Sequence, residues 1–378
     1  MKIIILIDYN ENRTKLWNGE IIRTGGVGVS GTEQSFVILG EELASVGNEV
    51  SIISPTCLPN TTYKGVQYNQ LDILNKISNT VDILILQTDN RYFMDIQWVN
   101  LKKIIFWYHS QRFIPVEMLQ AFSRMYPNCE IICNTMTKYG YNYMKTSTPY
   151  VEAYTSEVFQ SYNPFMLDVF KDDIKQKEKN SFMFHAGFDR GGNVAYDVFS
   201  KVNLPNKKMY ICGYDTLRLN NNLSDITFLN SLDKSTLFSY LSKSEYFIYP
   251  LVAPQGNSTG NPPNYVHKDT FGCVIAEALA NEVIVITYPV GAVKEIWGDH
   301  IIYIPFPAEA NLQSLNSFET SFDLSLGSEE AQENIIKIID FLESKPVLKE
   351  IIKKRGREFV LSKLNPEKIA KEWLAIIN

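Results

Sequence analysis

The feature that most constrains the fold is a regular alternation of short apolar runs with helix-period stretches along all 378 residues. Short, uninterrupted apolar strands are typical of parallel sheets covered by helices on both faces. The alternation occurs as two series, which predicts an α/β protein of two Rossmann-like domains with parallel sheets facing a cleft. The predicted strands are residues 2–8, 49–54, 82–86, 103–108 and 130–133, then 181–185, 208–212, 225–229, 245–249, 283–287 and 300–304.

The boundary between the two series is marked by a change in composition. Residues 150–173 are rich in Ser, Asn, Pro and aromatic side chains, and the charged run 171–179 that overlaps them is typical of a solvated helix face or linker. We therefore expect one domain at 1–165 and a second at 175–361. The remaining stretch, 362–378, contains a predicted helix that begins with proline.

Charge, hydropathy and cysteine usage exclude several classes of protein. The net charge of −6 lacks the basic excess of a nucleic-acid binder. No apolar run reaches the roughly 18 residues of a membrane span, and the apolar start stops at Asp8, too early for a signal peptide. The five scattered cysteines are typical of a reduced, cytoplasmic protein. Three histidines, His185, His267 and His300, are unclustered, so we expect no metal site and no cofactor.

The most informative segment reads HKDTFGCVIAEALA and carries two acids, Asp269 and Glu277. Asp269 or Thr270 is predicted to cap a helix that begins near Phe271. Gly272 would let a ligand approach the first turn, where unpaired N–H groups favour an anion. The two acids are separated by about 12 Å of helix rise, so they could hold the two ends of a sugar nucleotide. The plain alternative is one capping acid and one helix Glu.

This segment resembles the signature of retaining glycosyltransferase family 4, whose members have the GT-B fold. The family pattern is an acid, seven residues and a Glu, with Phe-Gly after the first acid and Ala-Leu-Ala after the second. This chain departs from the pattern by having Asp269 where Glu is usual. The resemblance implies that Asp269 and the backbone of Thr270, Phe271 and Gly272 hold the donor sugar and phosphate, and that Glu277 holds the ribose.

A glycine-rich segment near the start, GGVGVSGTEQ, has two readings. Gly26, Gly28 and Gly31 satisfy G-x-G-x-x-G, but a dinucleotide fingerprint should follow its strand directly, and here a polar loop follows Asp8. The segment is similar to the glycine-rich loop and first helix of the same transferases. That similarity implies that Gly31 and Thr32 approach the donor diphosphate or the acceptor. A flexible loop is the alternative.

One histidine, His109, lies just past a predicted strand, at the edge where open α/β sheets bind ligands. Family members often carry a His here that contacts the donor sugar, whereas a lone His can equally be a packed residue. Its neighbours Tyr108, Arg112 and Phe113 are candidates for lining an acceptor site.

The segment FHAGFDRGG resembles the start of the family's second domain. The usual version has Arg directly after the first Gly and Lys just before a later Gly. Here Phe188 stands at the first position and Arg190 at the second, so one cation of the pair is missing. The resemblance implies that Arg190 stabilises the leaving diphosphate; a structural arginine in a turn is the alternative.

Taken over nearly the whole chain, the resemblance implies a retaining, metal-independent glycosyltransferase of the hexosyltransferase class. Its donor would be a UDP-, GDP- or ADP-linked sugar, and its acceptor a glycan, lipid or protein. Peripheral contact with a membrane is compatible with this function. Catalysis would fall to His109, Asp269 and Arg190. Residues 1–165 would form the acceptor domain, joined by the crossover helix in 362–378, and 175–361 the donor domain.

Two other functions remain open from the sequence. A sugar-nucleotide epimerase of the same architecture would need acid and base residues acting on the sugar ring, and no convincing set is present. A non-catalytic nucleotide-sugar-binding protein is suggested by the two departures from the family pattern, Phe188 and Asp269.

Overall fold

The computed structural model describes residues 1–7, 15–75, 80–87, 94, 96–109, 114–170, 176–213, 224–253, 264–318 and 321–378. The contacts between residues divide the chain into two compact units. The first comprises Met1–Leu167 with Leu364–Asn378, and the second comprises Asp168–Lys363.

The regular elements follow the alternation seen in the sequence. The strands, in chain order, are β1 Lys2–Leu6, β2 Glu49–Ile53, β3 Thr61–Tyr63, β4 Val66–Asn69, β5 Ile83–Gln87, β6 Lys103–Trp107, β7 Glu130–Asn134, β8 Glu157–Phe159, β9 Ser181–Phe184, β10 Lys208–Cys212, β11 Ile226–Leu229, β12 Tyr246–Tyr249, β13 Val252–Ala253, β14 Tyr265–Val266, β15 Ile284–Thr287, β16 Ile302–Tyr303 and β17 Ser321–Phe322. The α-helices are α1 Ile21–Thr24, α2 Gly31–Ser45, α3 Val116–Met125, α4 Lys138–Ser147, α5 Gly192–Lys201, α6 Lys234–Leu241, α7 Cys273–Ala280, α8 Val293–Trp297, α9 Leu312–Asn316, α10 Glu329–Glu343, α11 Pro346–Lys363 and α12 Pro366–Ile377.

Each unit is built on a doubly wound sheet. In the described residues the first sheet has the order β3-β4-β2-β1-β5-β6-β7-β8 and is parallel except for β3, which pairs antiparallel with β4. The second has the order β11-β10-β9-β12-β15-β16 and is parallel throughout. Strand order reverses between β1 and β5 in the first sheet and between β9 and β12 in the second, as in Rossmann-like domains. The prediction of an α/β protein with two such sheets is confirmed.

The sequence pattern missed the polar edge strands and a small antiparallel sheet. β4 alternates buried residues with exposed or half-buried ones, and β3 and β8 contain only half-buried and exposed residues, so none of the three shows an uninterrupted apolar run. The small sheet, β13-β14-β17, consists of two-residue strands that are too short to leave a period in the sequence. The central strands were found because both of their faces are covered, as in β1, where residues 3–6 are fully buried.

The C-terminal helix α12 belongs to the first unit. Trp373 is fully buried and packs its ring 4.6 Å from Trp107 of β6. Lys103, at the start of the same strand, donates from Nζ to the Ile376 carbonyl at 2.7 Å. Burying a large apolar side chain contributes about 1.5–3 kcal/mol, so Trp373 is a main attachment of the chain end to this unit.

Helix α2 begins with a capping box. The Ser30 backbone N–H donates to the Glu33 carboxylate at 2.8 Å, and the Glu33 backbone N–H donates to Ser30 Oγ at 3.4 Å. These bonds fix the first turn, which contains Gly31 and Thr32. The turn is therefore held by its own side chains as well as by packing.

Ser30→Ala is expected to lower the free energy of unfolding by about 1 kcal/mol, because the Glu33 N–H loses its acceptor and the Glu33 carboxylate loses the Ser30 hydroxyl that donates to it. Denaturant titration measures the change. Ser45→Ala, at the other end of α2, is the matched control and should stay within about 0.5 kcal/mol of wild type. A Ser30→Ala protein as stable as wild type would show that the capping box does not hold this turn.

Candidate functional site

The candidate site lies at the carboxyl edge of the second sheet, where β9 and β12 are neighbours and the strand order reverses. The chain leaving β9 forms the short 3-10 helix Phe188–Arg190, and the chain leaving β12 continues to Leu251. The Leu251 N–H donates to the Arg190 carbonyl at 2.9 Å and ties the two segments together. Open α/β sheets bind ligands at such a reversal.

Two residues predicted from the sequence meet here. Arg190 forms a hydrogen-bonded ion pair with Asp269, from its Nη1 to the carboxylate Oδ1. Tyr249 donates from its hydroxyl to the other carboxylate oxygen at 2.7 Å. Burial and the nearby Asp269 carboxylate raise the pKa of Tyr249 well above its usual value, so the phenol stays protonated and remains a donor. Nothing in the sequence had pointed to Tyr249.

The electrostatics of the pair favour both charges. Burial is the largest single influence and disfavours the charged guanidinium, but the oxygens of Asp269, Tyr249 and Asp189 together outweigh it and raise the pKa of Arg190. The Asp269 side chain is 10% exposed, and that of Arg190 is 34% exposed. The cation is thus the more accessible member of the pair.

The backbone of Asp269 is fixed by its neighbours in space. Its carbonyl accepts from the Ala292 N–H at 2.8 Å. A Cβ on Gly291, which has φ +65°, would come within 2.5 Å of the Asp269 carbonyl oxygen, so only glycine fits there without a shift. The preceding residue, Lys268, donates from Nζ to the Ser314 carbonyl of α9 at 2.8 Å. The carboxylate is therefore presented from a rigid loop.

The predicted cap of the following helix is wrong. Helix α7 begins at Cys273 and its N-cap is Gly272, with φ +82° and no side-chain cap. Asp269 cannot cap it because its carboxylate accepts from Arg190 and Tyr249 instead. The left-handed φ at Gly272 favours glycine. Phe271 is buried, and its carbonyl accepts from Trp297 Nε1 at 3.1 Å.

Glu277, the second predicted acid, lies in a buried ion pair. Its Oε1 is hydrogen-bonded to the ammonium of Lys234, the first residue of α6, and its Oε2 lies 3.6 Å from His185 Nε2. The Glu277 side chain is 3% exposed and that of Lys234 is 7% exposed. Burial lowers the pKa of His185 to about 4, so the imidazole is neutral at pH 7.

Sequence reasoning missed Lys234 and set His185 aside as unclustered. One local signal for Lys234 did exist. A cation in the first turn of a helix opposes the helix dipole, so a lysine there calls for a compensating partner. That the partner is Glu277 depends on the packing of α6 against α7, which the sequence does not show.

Phe188, at the first of the two positions where the sequence resemblance implied a cation, is part of the core. Phe188 is 9% exposed and packs edge-on to Phe184 with ring centroids 6.0 Å apart.

Near Arg190, His267 Nε2 lies 3.4 Å from the Asp189 carboxylate. Burial and the Arg190 charge lower the pKa of His267 to about 2, so this imidazole is also neutral.

The residues predicted in the first unit lie around helix α2. His109 follows β6, and its ring lies 5.1 Å from Phe36 of α2 and 4.5 Å from Trp107. Burial lowers the pKa of His109 to about 3, so it is neutral at pH 7. Gly31 and Thr32 form the first turn of the same helix and are half-buried. Three further residues of interest lie outside the described residues: Asp8, Arg112 and Phe113.

The comparisons with known proteins bear on the fold. No protein-family model matches the chain, and no curated protein sequence matches it. Among solved structures, sucrose-phosphate synthase from Thermosynechococcus elongatus is similar over 100% of this chain and 98% of its own, with TM-score 0.60 and 15% identity. A glycosyltransferase from Rickettsia africae is similar over the same shares, with TM-score 0.62 and 13% identity. A trehalose-6-phosphate synthase is similar over 100% and 99%, with TM-score 0.59 and 7% identity.

The chain has the GT-B glycosyltransferase fold. This confirms the fold that the sequence resemblance implied.

Two further observations concern the part of this GT-B chain that the structure describes. No group of three or more His, Cys, Asp or Glu residues is arranged to hold a metal ion. Across the same residues, no helix combines the length and the apolar character that crossing a bilayer requires.

Proposed function

We propose that this protein is a retaining glycosyltransferase that moves a sugar from a nucleotide-sugar donor to a glycan, lipid or protein acceptor. The observation that carries the proposal is the gathering of Arg190, Asp269 and Glu277 beside the strand reversal of the second sheet. The solved structures of similar fold support it, since they include a sucrose-phosphate synthase, and the trehalose-6-phosphate synthase is described in terms of glycosyltransfer with retention.

In this proposal the donor lies along the loop before α7 and along that helix. Arg190 neutralises the diphosphate, Asp269 accepts from a sugar hydroxyl, and Glu277 accepts from the ribose. Backbone groups of Thr270, Phe271 and Gly272 complete the donor contacts. A guanidinium has five N–H donors, so Arg190 can bind phosphate oxygens while still contacting Asp269.

The first unit supplies His109 and the start of α2 with Gly31 and Thr32. A neutral His109 can either donate a hydrogen bond to a sugar hydroxyl or accept one from it. A protonated imidazole could only donate. The acceptor would bind to this unit, within residues 1–165, and the second unit would bind the donor. The protein would act in the cytoplasm, where nucleotide sugars serve as donors without a further cofactor.

The proposed reaction needs no protein base. The bond from the anomeric carbon to the phosphate oxygen breaks, and the acceptor oxygen bonds to that carbon from the same face. The acceptor proton passes to the departing phosphate, and the nucleoside diphosphate leaves. Negative charge grows on that phosphate, and Arg190 stabilises it more strongly in the transition state than in the ground state.

A non-catalytic nucleotide-sugar-binding protein is the second candidate. It is favoured by the burial of Phe188 at the usual cation position and by the existing Arg190–Asp269 pair. A sugar-nucleotide epimerase is not favoured, because the neutral, buried His185 and His267 are poor acid catalysts.

The test is a panel of UDP-, GDP- and ADP-linked sugars. A donor that binds the folded state should raise the melting temperature, and the same donor should then release its nucleotide in the presence of acceptors. Release identifies a transferase. A raised melting temperature without release from any acceptor would favour the binding protein and contradict our proposal.

We expect turnover to be unchanged by EDTA, because Arg190 takes the role that a divalent metal would otherwise have on the leaving diphosphate. The rate of nucleotide release is measured before and after dialysis against the chelator, with EDTA-treated, magnesium-resupplied enzyme as control. Loss of turnover that manganese or magnesium restores would contradict a metal-independent mechanism.

A further inference from the structure

We propose that Lys234 is a positioning residue for Glu277, and that this ion pair makes the site select ribose over 2′-deoxyribose. The inference rests on the proposed function, in which Glu277 faces the ribose of the donor. It extends that function by assigning a second residue and a sugar preference to the nucleoside end of the site.

Lys234 occupies a position that is unfavourable for a lysine in two respects. Its helix is capped by Asp233, whose carboxylate accepts from the Thr236 N–H at 2.9 Å, so Lys234 is held as the first helical residue. A cation at this position opposes the helix dipole. Its side chain is only 7% exposed, which removes most of its hydration. Both costs are offset by one partner, the Glu277 carboxylate.

Glu277 is held from its own side as well. It lies in α7 between buried apolar residues, and its backbone carbonyl accepts from Asn281 Nδ2 at 2.9 Å. His185 shares a hydrogen bond at 3.1 Å between its Nε2 and the Val274 carbonyl, one turn before Glu277. The imidazole packs against Phe247 with ring centroids 4.5 Å apart and the ring planes tilted by 42°. Together these contacts leave the carboxylate little freedom to turn.

One polar atom beside the pair points to a ligand. His185 Nδ1 is buried and has no hydrogen-bond partner among the described residues, although its side chain is fully enclosed. A buried polar group without a partner is costly and unusual in a native protein. The site therefore combines a cation, an anion and a neutral imidazole within one buried cluster.

A vicinal diol complements this cluster. One ribose hydroxyl can donate to Glu277 while the oxygen of its neighbour accepts from the Lys234 ammonium. Lys234 is the member that shifts to admit the ribose, because its side chain has four rotatable bonds whereas Glu277 is fixed in α7. A 2′-deoxyribose has only one of the two hydroxyls, so it would leave either Glu277 or the shifted Lys234 as a buried charge without a partner. A site rejects an analogue that lacks a hydroxyl in this way.

The experiment measures affinities for UDP, GDP and ADP and for their 2′-deoxy counterparts by calorimetry. Wild type should bind the preferred ribonucleotide at least about tenfold more tightly than its deoxy form, as expected for hydrogen bonds to charged groups. Lys234→Met should reduce this ratio to within about twofold, although Glu277 is intact. Lys234→Arg should restore part of the ratio because it keeps the charge.

Lys349→Met is the matched control. Lys349 is equally buried and pairs with Glu245 at 3.2 Å, but it lies near the amino ends of β9 and β12, at the opposite edge of the same sheet. Its loss should lower the melting temperature and leave the ribose preference at the wild-type value. If Lys234→Met does not fold, Lys234→Gln, which keeps a hydrogen-bond donor without the charge, takes its place with the same expected loss of preference.

The possible results distinguish a failure of this inference from a failure of the proposed function. A wild-type ratio in folded Lys234→Met or Lys234→Gln would show a purely structural ion pair and overturn the inference alone. Tighter ribonucleotide binding by these variants would show that Lys234 competes with the ribose, which also overturns it. Failure of wild type to bind any of the three diphosphates would overturn the inference and the proposed function together.

Discussion

Arg190→Ala is expected to lower kcat by about 10²–10³. In the proposed mechanism the guanidinium faces the charge that develops on the leaving phosphate, and removing one such donor typically costs this much. The effect should fall on kcat more than on the affinity for the free nucleoside, which lacks the diphosphate. Initial rates with a saturating donor and calorimetry with the nucleoside measure the two separately.

Two variants serve as controls for this substitution. Arg190→Lys should recover part of kcat, because the charge remains while the forked geometry is lost. Arg357→Ala removes an arginine of the same unit that donates to the Ala280 carbonyl at 2.9 Å, and it should leave kcat near the wild-type value. If Arg190→Ala and Arg190→Lys both turn over like wild type, another group stabilises the leaving phosphate.

Glu277→Ala is expected to have two large effects. Donor affinity should fall at least about tenfold, because hydrogen bonds to a charged group are worth about 1.5–3 kcal/mol. The free energy of unfolding should fall by about 3–5 kcal/mol, because the substitution leaves the buried Lys234 ammonium without its partner. Calorimetry with the donor nucleotide and denaturant titration measure the two effects.

The double variant Glu277→Ala/Lys234→Met separates these effects. It removes both charges, so most of the stability should return, whereas donor affinity should stay low. A folded Glu277→Ala protein with wild-type donor affinity would rule out the ribose assignment. Unchanged stability would show that Lys234 finds another partner.

The sequence predicted the sheets because their central strands are buried on both faces and read as apolar runs. The family resemblance also singled out Asp269, Glu277 and Arg190, and the structure brings Arg190 and Asp269 together. The sequence could not predict the pairing of Arg190 with Asp269, 79 positions away, because that contact depends on β9 and β12 being neighbours. The local sequence predicted that Asp269 caps the following helix. Its carboxylate instead accepts hydrogen bonds from an arginine and a tyrosine that are distant in the sequence.

The pair proposed to bind the ribose shows the same limit. Lys234 and Glu277 are 43 positions apart, and neither segment marks the other as its partner. His185 looked like an isolated histidine, and its place beside Glu277 follows from the packing of α7 over the end of β9. The motifs thus identified both members of the Arg190–Asp269 pair without linking them, and only Glu277 of the pair with Lys234; the fold was needed to show both contacts.

The central claim is that the chain transfers sugar from a nucleotide donor with retention. Proton NMR of a reaction started with an α-linked donor tests it most directly, because the anomeric proton of the first product, or of sugar released to water before mutarotation, reports the configuration. The account predicts the α-configuration in wild type and little or no product in Arg190→Ala. A β-configured first product would contradict it, as would a complete absence of donor cleavage across the UDP-, GDP- and ADP-linked panel.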